Sequence, residues 1–471
     1  MIKKLLLLSV ILSQFAISCS SDEITPETEP EVVVPEKPEP EKTLEEQIAE
    51  LLKKSYSELT PAQQKTKFEA EANEMLAQLD KTKSSGAIEA LGNLTRLLSL
   101  NHIDIFEGKN DNKAEDILTV SGVYGIYTWN NTNKIWVKTA STTELKFVFP
   151  AKVSQTANNA VFSAKSVSSD VKVKLKDFYG NWSYDDKTKQ WILSDTVNDY
   201  YFLPSSSDGI LTIDNIQAAT LSQTAKYSNG KEVPNEAAFK MVLNDGYTWE
   251  ISGAKASPNT AKASLTYNGK NLISFNAGST AEIDKLLDND ELIQYRGKAN
   301  GLINILDNFV IVADMNLATE AADKEALYKN NTRPAYPDYY DPKSDFKAHA
   351  VASNAYELKI SEGLAANFNK NINLSLVSKK DGTKIATIVQ HSKKDGEYTF
   401  SIPVWITNPW SNESYWGYDG TNPEFTQPYL EEVYYLKFND NTEVEMSVYF
   451  SEGFDTLQAK FQDFILSFDK K

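Results

Sequence analysis

Apolar residues fall at helical spacing near the two ends of this chain and at strand spacing through most of what lies between. Thr43-Leu44-Glu45-Glu46 has the capping-box order, in which a Thr hydroxyl and a Glu carboxylate satisfy amides left free at a helix start. Leu44, Ile48, Leu51 and Leu52 then share one face. Thr60-Pro61-Ala62-Gln63 repeats the signal with proline at the first helical position, where its missing N–H costs nothing, and Phe68, Ala72, Met75, Leu76 and Leu79 follow. After Ser84-Ser85-Gly86 comes a third stripe of Ile88, Leu91, Leu94 and Leu98. These stripes predict three helices packed on one another. A last stripe, Phe454, Leu457, Phe461, Phe464, Ile465 and Phe468, predicts a C-terminal helix that covers a sheet.

Beyond Asn110 the period shifts to two. Asn244-Asp245-Gly246 and Asn268-Gly269 each separate two alternating runs, which is tight-hairpin chemistry. Ser279-Thr280-Ala281-Glu282 predicts a capped helix through Leu287, and Leu302 to Leu306 with Phe309 to Val312 predicts another strand pair. Strands are expected near 373–377, 384–390 and 398–405, with Asp381-Gly382 and Asp395-Gly396 as turns. Val433 to Phe438 and Glu443 to Phe450 flank a further turn at Asn439-Asp440-Asn441.

An internal repeat stands out. The run from Tyr124-Gly125 to Trp136 aligns without a gap on the run from Tyr179-Gly180 to Trp191, with aromatics matched at Tyr127 and Trp182 and at Trp129 and Tyr184. Each copy reads strand, polar turn, strand, and the similarity continues from Leu145–Pro150 to Tyr200–Pro204. The aromatics offer either cross-strand packing or a platform for sugar rings.

The fold class expected is α+β, predominantly antiparallel β, with a small N-terminal helical region, paired hairpins and a C-terminal helix on a sheet. The boundaries are a helical region at 43–110, a β region at 111–335 containing the repeat (124–150 and 179–204), and a C-terminal β-rich region at 336–471. The stretch Asn331 to Asp345, with Pro334, Pro337, Pro342 and three tyrosines, reads as a domain linker or as a surface loop able to bind ligand.

Ahead of these elements, Lys3 and Lys4, a short apolar run and small residues before Cys19 make a secretory signal too short to span a bilayer. Cys19 is the chain's single cysteine. The segment resembles a lipoprotein signal peptide, which implies cleavage after Ser18 and a diacylglycerol thioether on Cys19. Ser20-Ser21-Asp22-Glu23 resembles the export signal of surface lipoproteins in Bacteroidetes, which implies the outer face of the outer membrane, held to its lipid through Cys19. Residues 24–42, with Pro26, Pro30, Pro35, Pro38 and Pro40, cannot build a core and favour an extended tether of ~60 Å at about 3.1 Å per residue. Asp195-Thr196-Val197 and Asp455-Thr456-Leu457 resemble the sequon for O-glycosylation of exported proteins in that phylum, which implies modification at Thr196 and Thr456.

Charge narrows the partners. A net charge of −17 without a basic cluster argues against nucleic acid. No His-Glu-x-x-His, Gly-x-Ser-x-Gly or phosphate-binding glycine loop occurs, and the histidines His102, His349 and His391 stand in unrelated contexts. A non-catalytic protein without cofactor is expected, with a paired-carboxylate hydrolase as the enzymatic alternative. The acidic runs Asp288 to Glu291 and Asp338 with Asp341 do not follow the calcium-loop spacing.

The best binding candidate lies between Trp405 and Tyr429, where Trp405, Trp410, Tyr415, Trp416 and Tyr418 alternate with Asn, Ser, Pro, Gly and Asp. Flat rings stack on sugars, and Asn and Asp can hydrogen-bond hydroxyls. The expectation is a surface lipoprotein that binds glycan or another nutrient. The alternative is an envelope protein with a structural or protein-interaction role and no small-molecule ligand.

Overall fold

The computed structural model describes residues 42–450, apart from 80–84, 102, 104–113, 177–181, 194–196, 229, 290–291, 307, 409 and 411–412. Cys19, Thr196, Thr456 and the C-terminal stripe lie outside the described residues.

The first strands are β1 (Gly125–Asn130), β2 (Ile135–Thr139), β3 (Leu145–Phe149), β4 (Ala160–Lys176), β5 (Trp182–Asp185), β6 (Gln190–Leu193) and β7 (Val197–Ile213). A meander follows with β8 (Ile216–Lys226), β9 (Glu236–Leu243), β10 (Tyr247–Ala254), β11 (Asn259–Tyr267), β12 (Lys270–Ser279), β13 (Ala299–Ile305) and β14 (Phe309–Met315). The last are β15 (Ile372–Ser378), β16 (Thr383–Ser401), β17 (Val404–Thr407), β18 (Ser414–Gly417), β19 (Glu424–Lys437) and β20 (Glu443–Glu445). Sixteen of them form one sheet in the order β2-β1-β3-β4-β7-β8-β9-β10-β11-β12-β13-β14-β15-β16-β19-β20, while β5–β6 and β17–β18 stand as separate two-stranded sheets. Pairing is antiparallel except between β1 and β3. The class is therefore α+β with mostly antiparallel strands.

Turn chemistry sets the meander. Asn268 and Gly269 both have positive φ, 49° and 74°, which is the backbone a two-residue hairpin needs, and Asp214 and Asn215 do the same at 50° and 64° between β7 and β8. Gly246 has φ +106°, and a Cβ there would meet Asn268 Oδ1 at 2.2 Å, so only glycine fits.

The helices are α1 (Leu44–Leu52), α2 (Pro61–Leu79), α3 (Gly86–Leu100), α4 (Ile283–Asp288), α5 (Leu317–Asn330), α6 (Phe346–Asn371) and α7 (Met446–Tyr449). At α1, Thr43 Oγ1 accepts from Glu46 N while the Glu46 carboxylate accepts from Thr43 N, closing the capping box. No described helix is long and apolar enough to cross a membrane.

The described apolar side chains of the N-terminal helices pack against the sheet, because a sheet face offers more apolar area than a second short stripe. Ile48 of α1 packs with Leu302, Val310, Val312 and Val377. Phe68 of α2 meets Phe309 at 4.7 Å between ring centroids and belongs with Leu376, Ala386 and Leu436. Since Phe309 and Val310 are neighbours on β14, these two helices sit on opposite faces of the sheet. The chain passes between the faces beside β16, where Ser57 N donates to Lys384 O and Lys384 N to Ser55 O, both at 2.8 Å. Leu91, Leu94, Leu97 and Leu98 of α3 join Phe147, Phe149, Phe162 and Leu211 in the largest core.

Several expected elements change. Ser279 Oγ accepts from Ala281 N, and α4 begins at Ile283 with Glu282 as an N-cap that makes no side-chain cap bond. Asp395-Gly396 is a bulge inside β16, with Gly396 at φ +90°, because β19 keeps pairing on both sides of it. After β20 the chain turns into α7 instead of extending the strand to Phe450. Helices α5 and α6 fill the interval between β14 and β15, which pair directly, so the sheet runs unbroken across residue 335.

Candidate aromatic binding surface

Two distant stretches build the surface. Residues 332–345 are held as an irregular loop by Pro334, Pro337 and Pro342 and by their own side chains. Asp338 Oδ1 accepts from Tyr340 N and Asp341 Oδ1 from Lys343 N, both at 2.9 Å, and Ser344 Oγ donates to Asp338 O at 2.7 Å. Asp345 then caps α6 by accepting from Ala348 N at 2.8 Å. The other stretch is the β17–β18 hairpin, where Trp405 lies opposite Trp416 with ring centroids 5.8 Å apart.

Trp416 joins them. Its backbone N donates to Tyr339 O at 2.8 Å and its indole Nε1 to Asp341 O at 2.9 Å. Beneath, Phe346 lies 5.4 Å from Trp416 and 4.9 Å from Tyr339, over buried Ala350 and Ile402. A buried aromatic floor thus fixes both loops.

The rim faces water. Trp410 is 94% exposed, Tyr340 73%, Tyr336 62%, Tyr418 59% and Trp405 38%. Tyr415 and Trp416 are half-buried, with Tyr415 6.5 Å from Tyr340. Of the five residues expected to bind, Trp405 packs beside Trp416, Tyr415 lies near Tyr340 and Tyr418 bonds Tyr339, while Trp410 stands at the open tip of the hairpin beyond the Asn408 N to Glu413 O bond. Tyr336, Tyr339 and Tyr340 complete the cluster, and their stretch showed in the sequence only as a proline-tyrosine loop.

The phenols are linked. Tyr336 and Tyr339 share a hydrogen bond at 3.0 Å, which with burial raises Tyr339 above the usual tyrosine range. Burial, then the neighbouring Tyr339, raises Tyr418 in the same way. Both hydroxyls stay protonated and able to donate at neutral pH.

The loop's amides and acids are differently employed from the expectation. Asn408 Oδ1 accepts from Trp410 N at 2.9 Å, Asn422 Oδ1 from Asp419 N at 2.9 Å, and Asp419 Oδ1 from Thr421 N at 2.9 Å. Short loops must satisfy their own backbone, so these side chains serve turns first. The Thr421 hydroxyl and amide hold the Asp419 carboxyl below its ordinary value. Residues 331–347 and 404–424 carry six carboxylates against three cations, so the surface is acidic. Elsewhere, His391 contacts Glu443 at 2.5 Å, and the His349 ring lies 5.0 Å from Tyr336.

Compared with known protein families, characterised proteins and solved structures, the chain matches none of them.

Proposed function

We propose that this chain is a non-catalytic lipoprotein, fastened through Cys19 to outer-membrane lipid at the cell surface, that binds a neutral glycan on the rings of its joined loops. The observation that carries the reading is the exposure of Tyr340, Tyr336 and Tyr418 around a buried aromatic floor, with Trp410 open at the tip of the adjoining hairpin. Exposed rings cost free energy in water and gain it by stacking on the apolar faces of sugars. Protonated phenols supply donors to hydroxyl groups, and the acidic surroundings repel sulfated or uronic polymers. In this reading the two Tyr-Gly…Trp hairpins are copies of one unit, and the C-terminal stripe forms a helix on the sheet.

A panel of immobilised glycans probed with the full chain tests the assignment. Retention of neutral glycans, lost in Trp410→Ala and Tyr340→Ala, supports it, and an empty panel contradicts it. Labelling with an alkynyl palmitate analogue tests the anchor, which Cys19→Ser must abolish. The exposed hairpin described next favours a second reading, an envelope protein that engages another protein.

A further inference from the structure

We infer that the β5–β6 hairpin is a docking surface for an amphipathic helix of another protein. The inference rests on a comparison inside the molecule and is independent of the glycan reading. In the β1–β2 hairpin, Trp129 lies opposite Trp136, with ring centroids 5.3 Å apart at 69°. In β5–β6, Tyr184 lies opposite Trp191, at 5.4 Å and 61°. The turns agree as closely. Lys134 and Lys189 both have φ 56°, Lys134 N donates to Asn130 O and Lys189 N to Asp185 O, each at 2.8 Å. Asn130 Oδ1 accepts from Thr132 N at 3.1 Å, and Asp185 Oδ1 from Lys187 N at 2.8 Å.

The two differ in what lies on the rings. Helix α3 covers the first pair: Leu97 O accepts from Trp136 Nε1 at 3.2 Å, Asn101 Oδ1 accepts from Trp136 N at 3.0 Å, and Trp129 and Trp136 fall to 2% and 9% exposure. The second pair is open, with Tyr184 46% and Trp191 65% exposed. Topology explains the difference. β1 is welded into the main sheet through β3, whereas β5–β6 pairs with no described strand of the main sheet and forms a two-stranded sheet of its own. The first copy therefore defines what complements the second: a leucine-striped helix whose last turn brings a backbone carbonyl to the indole N–H and an Asn side chain to the strand.

The chain's own segments do not fit this role. The last strand, β20, is eleven strands from β7 in the sheet order. The segment before Lys42 carries prolines at 26, 30, 35, 38 and 40, which block a helix. The occupant is thus supplied by a second protein.

The probe is a dye-labelled synthetic peptide with the sequence Ser85 to His102, titrated by fluorescence anisotropy into the full chain. The expected result is saturable binding, weakened roughly tenfold or more by Trp191→Ala or Tyr184→Ala and unchanged by Trp410→Ala. A peptide carrying Leu94→Asp and Leu97→Asp should not bind. Because Trp191 is exposed, its variant keeps the wild-type melting temperature, which separates lost docking from lost folding. Absence of saturable binding, or binding indifferent to Trp191→Ala, overturns the inference. Sedimentation of the chain alone should show a monomer, and a Trp191-dependent dimer would overturn the assignment to a different protein.

Discussion

The indole N–H of Trp416 donates to the carbonyl of Asp341 at 2.9 Å across seventy-five positions of the chain. That bond, with the Trp416 N to Tyr339 O bond beside it, locks a proline-tyrosine loop to a tryptophan hairpin and makes one surface of two. Support and recognition are thereby divided between residues, which leads to separable outcomes.

Trp416→Ala removes the shared floor. It should cost about 2 kcal/mol, below the ~3–5 kcal/mol of a fully buried tryptophan, because the ring is half-buried. Trp410→Ala, at 94% exposure, should leave stability within about 0.5 kcal/mol of wild type. Urea unfolding of both variants checks the contrast.

Glu71 is buried against the sheet with Oε2 unpaired, and its nearest cation, Lys67, stands 3.9 Å from Oε1. Burial raises its pKa from the ordinary 4.5, against the pull of Lys67 and Lys380 and with Glu74 adding to the rise. The folded protein therefore holds this proton to higher pH than the unfolded chain, so the Glu71 contribution to stability falls as pH rises above 4.5. Glu71→Gln should be more stable than wild type at pH 8 by ~1–3 kcal/mol and close to it in acid. The difference between the two unfolding curves across pH isolates this group from Glu50 and Glu74, whose pKa values are lowered by their lysine partners and whose effect runs the other way.

Thr43→Ala opens the capping box of α1 and should cost about 1 kcal/mol. Thr43→Ser should restore most of it, since the hydroxyl and not the methyl makes the bond. Thermal denaturation of the pair distinguishes a lost cap from lost packing.

Gly246→Ala places a Cβ 2.2 Å from Asn268 Oδ1, so that side chain must swing aside, and φ +106° strains any residue but glycine. The expected loss is more than about 1 kcal/mol. Combining it with Asn268→Gly, which clears the contact, should recover part of that loss, read again by urea midpoint.

Hairpin chemistry made much of the sheet legible: Asn244 to Gly246 and Asn268-Gly269 stand at turns, and the first three helices begin at their caps. Helices α5 and α6 left no such trace. Apart from Phe346 and Ile360, the buried residues of α6 are Ala350, Ser361, Ala365, Asn367 and Asn371, small or polar side chains that give no continuous apolar stripe. Asn367 and Asn371 are buried because their amides bond Glu320 O and Asp323 Oδ2, both of α5, at 2.8 Å, which is a tertiary fact invisible to periodicity. The aromatic surface was half legible for the same reason. The hairpin rings announced themselves by composition, while their union with Tyr336, Tyr339 and Tyr340 depends on two backbone carbonyls meeting Trp416.

Isothermal titration of the full chain with a neutral hexasaccharide taken from the glycan panel tests the central claim most directly. The account predicts saturable heat with wild type, at least tenfold weaker binding with Trp410→Ala, and normal binding with Trp191→Ala. Equal affinity in wild type and Trp410→Ala would contradict it.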